Sequence, residues 1–342
     1  NCEITILTGN FNGKLNKIEK KDNIKIVRAK KLFSFNRGFF SIDLIVKFFK
    51  ESKKNDKIII FYPLVEIFPL IILTTKPIIF NYICLPNGKA FLDKIFFVYF
   101  YFFGILSMLI SKKIVVLTYD YFSNFFFHNF FRKKTFEVLP YIQNTKLDIN
   151  YLNSKYNENL IKIGFLGRLS PEKGIEHLVN VSDLMNTKKI PHEVIIAGDD
   201  KDKRFKKYIS KIKNKALNNR SIKFIGKIND NEKILFLKEI DFLILPSVNS
   251  FEAFGLVQLE AMSFGKLVLV SNLNGVNYPV KLTNNGIVFY KYDENIIYES
   301  IIQIKKMSLK INKKNIIENY LNHFNENKFK KDFNKVLEIN QS

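Results

Sequence analysis

Two carboxylates eight positions apart, Glu252 and Glu260, and two cations five positions apart, Arg168 and Lys173, are the residues of this chain best spaced to do chemistry. The loop Pro246-Ser247-Val248-Asn249-Ser250-Phe251-Glu252-Ala253 follows an apolar run, Asp241–Leu245, that reads as a strand. A helix is expected to start near Phe254 and to carry Glu260. Along one helical axis the two carboxylates would stand roughly 12 Å apart, at about 1.5 Å per residue. That is too far for an acid/base pair working on one bond, where about 5–10 Å is usual. It suits a grip on two separate hydroxyl-bearing groups of one extended ligand. Between them, the helix start near Phe254 and Gly255 offers free N–H groups to an anion. Sugar hydroxyls, pyrophosphate and ribose hydroxyls follow one another in that order in a nucleotide sugar. An ordinary helix with one solvated Glu fits the same spacing.

The cations lie in Gly167-Arg168-Leu169-Ser170-Pro171-Glu172-Lys173-Gly174, which follows the strand expected at Ile161–Leu166 and opens a helix. Ser170 suits an N-cap and Pro171 the first helical position. A guanidinium and an ammonium at a strand end beside a helix N-terminus can hold a diphosphate, one by a forked pair of hydrogen bonds, the other as a point charge. Two unrelated surface cations in a Lys-rich chain fit as well.

The elements that must position these groups read as βα units. Short runs apolar on both faces, such as Ile58-Ile59-Ile60-Phe61, alternate with helical periods, as parallel strands covered by helices do. Strands are expected at Glu3–Thr8, Ile24–Ala29, Lys57–Tyr62, Pro77–Tyr82, Lys113–Leu117 and Thr135–Leu139, with helices at Ser41–Lys53 and Ala90–Ser111. Tyr141–Leu160 is polar and reads as a connection. A second series follows, with strands at Ile161–Leu166, Glu193–Ala197, Ser221–Ile225, Asp241–Leu245, Leu267–Ser271 and Gly286–Phe289. Its helices are expected at Lys173–Asn186, Lys203–Leu217, Asn231–Lys238, Phe254–Phe264 and Asn295–Met307, ahead of a polar helical tail. The fold class is therefore α/β, with two doubly wound domains. The domain expectation is 1–145, 158–311 and, for the C-terminal helices, 312–342. At 342 residues the chain is long enough for two cores.

Composition excludes some classes. Charged residues make up 25% and hydrophobic ones 47%, which excludes general disorder. Two cysteines cannot form a disulfide framework, which fits a reducing compartment, and no Cys/His run has zinc spacing. The net charge is +22, spread over both halves, with 23 basic against 11 acidic residues in 1–150. Such a field favours anionic partners such as nucleotides, acidic membrane surfaces or nucleic acid. The longest apolar run, Ile95 to Ile110, has sixteen residues against the roughly 20 that span a bilayer. It reads as a buried helix or as an interfacial one. The chain begins with Asn, its third residue already opens a strand, and no signal peptide is visible. It is expected to start inside a longer protein.

The segment Leu245-Pro-Ser-x5-Glu252-Ala-Phe-Gly-Leu-Val-Gln-Leu-Glu260-Ala-Met-Ser-Phe-Gly265-Lys resembles the E-x7-E signature of the family 4 retaining glycosyltransferases of GT-B fold. Gly167-Arg-Leu-x3-Lys173-Gly resembles their diphosphate loop. Ile195-Ile-Ala-Gly198-Asp, Ile222-Lys-Phe-Ile-Gly226 and Asn274-Gly275-Val276 follow in the family's order. The resemblance is dense over 160–290 and weaker over 113–148. It implies two Rossmann-like domains facing a cleft. It also implies a metal-independent transfer, with retention, from a UDP- or GDP-sugar to a hydroxyl of a cell-surface polysaccharide or lipid-linked glycan. By this resemblance Arg168 and Lys173 hold and stabilise the diphosphate, Glu252 lies near the donor sugar and Glu260 binds the ribose. Gly167, Phe254, Gly255 and Leu256 line the donor, and Gly226, Lys227 and Ile228 lie near its base.

The sequence also departs from the family. Its first strand and Gly-rich acceptor-side loop are not found before Glu3–Thr8, so the N-domain is expected to lack its first strand. Phe80-Asn81-Tyr82 stands where many members carry a His, which makes Asn81 the acceptor-side candidate. Asn277-Tyr278 replaces the usual Pro-Glu. His128, His177, His192 and His323 match no motif and are expected to be structural or exposed. Two alternative readings stay open: an inactive membrane-associated scaffold of the same fold, and a basic nucleic-acid-binding protein. The second lacks any recognised binding motif around its Lys14–Lys31 cluster, so nucleic acid is not an expected partner. The cytoplasm is the expected location, with peripheral contact to an anionic membrane surface through that cluster and the 95–110 segment.

Overall fold

The computed structural model describes residues 3–10, 13–35, 38–84, 91–143, 149–154 and 156–338. The chain divides into two compact units. One comprises Asn1–Val116, Phe125–Glu137 and the segment from Phe333 onward, and the other Leu117–Asn124 and Val138–Asp332.

In the first unit β1 (Ile4–Asn10) pairs in parallel with β3 (Ile24–Lys30), with Ile4 opposite Ile24. The short β2 (Ile18–Lys21) runs antiparallel to β3. A hairpin of β4 (Phe33–Phe35) and β5 (Gly38–Phe40) leads to α1 (Ile42–Ser52), whose first turn is capped by Ser41 Oγ accepting from Leu44 N at 3.0 Å. Next come β6 (Ile58–Tyr62), α2 (Ile67–Ile72), β7 (Ile78–Tyr82), α3 (Phe91–Ile110) and β8 (Lys113–Val116). The short α4 (Tyr119–Phe122) belongs to the second unit, and α5 (His128–Phe131) and β9 (Thr135–Glu137) return to the first. Strands β6, β7, β8 and β9 form an all-parallel sheet in that order. Among the described residues this sheet and the β1–β3–β2 sheet are separate, where one continuous doubly wound sheet was expected.

The second unit holds the larger core. After α6 (Ile149–Asn153) come β10 (Ile161–Leu166), α7 (Ile175–Thr187), β11 (His192–Ala197), α8 (Lys206–Lys215), β12 (Ile222–Gly226), α9 (Asp230–Glu239) and β13 (Phe242–Leu245). Then follow α10 (Leu256–Ser263), β14 (Leu267–Ser271), α11 (Tyr278–Thr283), β15 (Gly286–Phe289), α12 (Glu294–Lys310), α13 (Lys313–His323) and the start of α14 (Glu326–Leu337), whose residues from Phe333 on belong to the first unit. The strands form one parallel sheet in the order β12-β11-β10-β13-β14-β15. This is the doubly wound order in which the winding direction reverses between the first and fourth strands, here β10 and β13. All residues of β13 and β14 are buried, as expected of strands covered on both faces.

The polar stretch read as a plain connection is fastened by lysines. Lys305 Nζ donates to Leu160 O at 2.9 Å and pairs with Asp241 at 2.7 Å, and Lys313 Nζ donates to Tyr151 O at 3.1 Å. Lys266 is the most enclosed of the group. It is 1% exposed and donates to Ile240 O at 2.6 Å. Burial, then the Lys313 ammonium, push its pKa down to about 7, against the pull of Asp241. Because the folded pKa lies below the unfolded value near 10.5, both states hold the proton below about pH 7 and the buried cation weighs against folding. Between about pH 7 and 10 the unfolded chain binds more protons, so stability rises with pH. Urea midpoints measured from pH 6.5 to 10 are expected to climb in the wild type and to climb less in Lys266→Met. Equal slopes would remove Lys266 as the cause.

Candidate functional site

The winding reverses between β10 and β13, and both loops singled out from sequence leave the carboxyl ends of these two strands, where folds of this order take their ligands. The first departs from the expected form. Pro171–Lys173 is a single 3₁₀ turn, Gly174 is left-handed (φ 64°), and α7 starts only at Ile175. Ser170 occupies the cap position, but its buried hydroxyl makes no hydrogen bond to the turn. The left-handed step is what lets the two loops touch. A Cβ on Gly174 would lie 2.1 Å from Pro246 O, so only glycine allows this approach. Val248 N then donates to Glu172 O at 2.9 Å, and Lys173 is brought onto Glu252.

Lys173 and Glu252 form an ion pair with little of either side chain exposed, 12% and 13%. Arg168 is half-buried in the same loop, and its charge helps hold Asp202 below the usual carboxylate range, behind the larger effect of the Arg204 hydrogen bond. Gly167 lies beneath Lys173, since a Cβ there would sit 3.9 Å from Lys173 Cε. Gly198, after β11, abuts this loop closely enough that its Cβ would fall 2.1 Å from Gly167 O.

Helix α10 begins at Leu256, two residues later than expected, with a left-handed Gly255 (φ 77°) at its cap. Glu252 is therefore not helical, and the premise of a shared axis does not hold. The Phe254 side chain is buried and meets Phe324 edge-on at 6.1 Å, so only its main chain can serve a ligand. Leu256 is half exposed. Glu260 sits one turn into α10 and pairs with Lys233 of α9 at 2.9 Å. Lys233 was not singled out from sequence. It follows the capping box Asn229–Glu232, and nothing in one dimension shows that α9 and α10 face each other.

On the edge strand Gly226 closes β12 in a left-handed turn, its carbonyl accepting from Gly198 N at 2.8 Å. Lys227 beside it is exposed and Ile228 is half-buried against the core. The loop after β14 is tied down by Asp120, which accepts from Gly275 N at 2.7 Å, and by Gln258 Nε2, which donates to Val276 O at 3.0 Å. Tyr121 OH donates to Ser250 O at 2.7 Å. Asp120 and Tyr121 were likewise missed, because residues so far away in sequence carry no spacing signal. Ser247 Oγ, Gln258 Oε1 and Asn277 Oδ1 join Ser170 Oγ as buried polar atoms without a partner around these loops. Asn81 lies in β7 of the first unit, half-buried between Phe80 and Tyr82. His192 is structural, its Nε2 2.7 Å from Ser182 Oγ. The second unit thus brings Arg168, Lys173 and Glu252 to adjoining loops at the reversal point, with Glu260 on the helix that follows.

The same region carries the likeness to known proteins. Glycogen synthase of Clostridium botulinum is 28% identical over 204 residues, covering 53% of this chain and 41% of that protein. An uncharacterized glycosyltransferase of Methanocaldococcus jannaschii is 29% identical over 152 residues, covering 44% of this chain and 40% of its own length. The matches thus span about two fifths of these relatives. Among solved structures, sucrose-phosphate synthase of Thermosynechococcus elongatus superposes with a TM-score of 0.75 at 15% identity, over 98% of this chain and 88% of that one. HepE of Anabaena, solved in complex with UDP, gives 0.71 at 15% identity over 98% and 99%. These neighbours have the GT-B fold, and both units here are Rossmann-like. The family described as glycosyl transferases group 1 matches residues 152–323, half of the chain, including both of these loops and α10. With that match resting on the loops that hold Arg168, Lys173, Glu252 and Glu260, the chain belongs to the glycosyl transferases group 1.

Proposed function

We propose that this chain is a hexosyltransferase of the family 4 retaining branch. It moves a sugar from a UDP- or GDP-sugar to a hydroxyl of a polysaccharide or lipid-linked glycan. The observation that carries the reading is the meeting of the Lys173 and Glu252 loops at the reversal point, beside the free N–H groups at the start of α10. The diphosphate lies between Arg168, Lys173 and that helix end, and the ribose hydroxyls reach Glu260. In the transfer the bond from the anomeric carbon to the diphosphate oxygen breaks and a bond to the acceptor oxygen forms on the same face. The acceptor proton passes to the departing diphosphate. Arg168, Lys173 and the helix dipole stabilise the charge released there, the task a metal performs elsewhere. Arrival of the bulky anion exchanges the Lys173–Glu252 contact for a Lys173–phosphate contact, which frees Glu252 to face the sugar. The setting we propose is the cytoplasm, against an anionic membrane surface. Nucleic acid is not among the proposed partners.

A donor screen tests this reading. Nucleotide release from one UDP- or GDP-hexose is expected, unchanged by EDTA, with the product's anomeric proton showing the donor's configuration. Release that requires a divalent cation, or an inverted product, contradicts the corresponding part.

A further inference from the structure

Helix α3 is apolar on every side, but only one side of it is covered. Phe100, Gly104, Ser107 and Met108 are buried. Val98, Phe102 and Leu109, spaced four and seven apart, form a single outward stripe, and Val98 is 66% exposed. A stripe of this kind normally points to polar residues and water. Here it carries branched aliphatic and aromatic side chains.

The neighbours widen the stripe. On one flank Phe68 of α2 packs on Phe103 with ring centroids 4.8 Å apart and is itself exposed, and Tyr99 OH donates to Val65 O at 2.6 Å. On the other flank Phe125 packs on Tyr101 at 4.8 Å, and next to it Phe126 is 80% exposed and Phe130 71%. Lys134 Nζ donates to Leu109 O at 3.1 Å and Ser111 O at 3.0 Å, which fixes the run Arg132-Lys133-Lys134 at the C-terminal end of α3. Lys94 stands in its first turns. Residues 94–116 and 125–136 contain Lys94, Lys112, Lys113, Arg132, Lys133 and Lys134 and no Asp or Glu. The strip is therefore apolar along its length and mainly basic at its ends, with Asp93 and Glu137 the nearest acidic residues in sequence.

A strip of exposed aromatics is costly in water and marks a surface that something covers. The basic excess at the rim selects the occupant. A protein partner of ordinary composition would leave these cations partly unmatched, whereas an anionic bilayer offers acyl chains to the rings and headgroup phosphates to the lysines together. No helix among the described residues is long and apolar enough to cross a membrane, so this contact lies in the interface plane.

We propose that the outer face of α3, widened by Phe68 and by Phe126 and Phe130, is the surface through which this chain rests on an anionic lipid bilayer. The inference deepens the proposed function, on whose membrane setting it rests, by naming the face. Flotation with phosphatidylglycerol-containing vesicles tests it against phosphatidylcholine vesicles, using the wild type, Phe102→Ser/Phe126→Ser/Phe130→Ser and Lys112→Glu/Lys133→Glu. The wild type is expected to co-float with the anionic vesicles only. The triple variant is expected to lose at least tenfold in partition with its thermal midpoint unchanged, and the charge variant to lose most of its preference for anionic lipid. Equal partition of all three proteins overturns the proposal. So does a wild type that stays in solution, or one that sediments as a dimer dissociated by the triple substitution. Binding of UDP or GDP, measured on the same proteins, reports separately on the transferase reading, because none of these residues lies in the donor loops.

Discussion

Lys173→Ala is expected to lower turnover by about 10²–10³-fold, the usual cost of removing one preorganised group that stabilises developing charge. The ammonium sits at the tip of the 3₁₀ turn, already placed by the loop contact through Val248 and Glu172. Once the bound donor has drawn it off Glu252, a cation held on that turn stabilises the departing diphosphate without further reorganisation. Its loss also leaves the mostly buried Glu252 carboxylate without its cation, at a cost of about 1–3 kcal/mol in stability. The two effects can be separated. Lys173→Ala/Glu252→Gln removes both charges, so its thermal midpoint is expected to recover toward wild type while turnover stays low. Turnover that recovers along with stability would show that Lys173 acts only as a structural partner. Normal turnover in Lys173→Ala would remove its role altogether.

Gly174→Ala is expected to do comparable damage by a purely steric route. Its left-handed backbone costs an L-residue about 1–2 kcal/mol. The new Cβ would also fall 2.1 Å from Pro246 O and 2.8 Å from Val248 Cγ1, inside contacts that cannot yield without parting the two loops. The expected loss is about 3 kcal/mol or more in unfolding free energy, with donor affinity falling at least tenfold, since the turn carrying Lys173 is pushed off the loop that leads into α10. Gly13→Ala is the control. Its φ is also positive, 66°, but a Cβ there meets nothing within 4 Å, so only the backbone cost should appear. Chemical denaturation of both variants checks this. Equal losses would mean that the loop contact contributes nothing.

What could be read in advance follows the range of the forces involved. The strands of the second unit, from β10 to β15, were legible within a residue or two because each is a compact, mainly apolar run, buried on both faces in β13 and β14. Strands such as β2 and the β4–β5 hairpin were not, being short, lysine-bearing or edge elements held by pairing rather than by their own pattern. Helices α2 and α11 were missed, each being only six residues long with a proline, Pro69 or Pro279, in its first turn, where the missing N–H costs nothing. In the site, residue types and loops were legible. Their pairing was not. That Lys173 meets Glu252, while Glu260 meets Lys233, depends on β10 lying beside β13 and α9 facing α10. The late start of α10 was hidden for a similar reason. Phe254 looks helical in period, but it is drawn into the core by Phe324, seventy residues away. The lysines that fasten 151–160 were invisible too, because a polar composition reads as linker until Lys305 and Lys313 are seen to donate to its carbonyls.

The most direct measurement is a crystal structure of the chain with UDP. The diphosphate is expected between the Gly167–Gly174 turn and the N–H groups of Gly255 and Leu256, with Arg168 and Lys173 on its oxygens and the ribose hydroxyls on Glu260. A nucleotide found elsewhere, or one bound there while Lys173 remains on Glu252 and Glu260 on Lys233, would contradict the account.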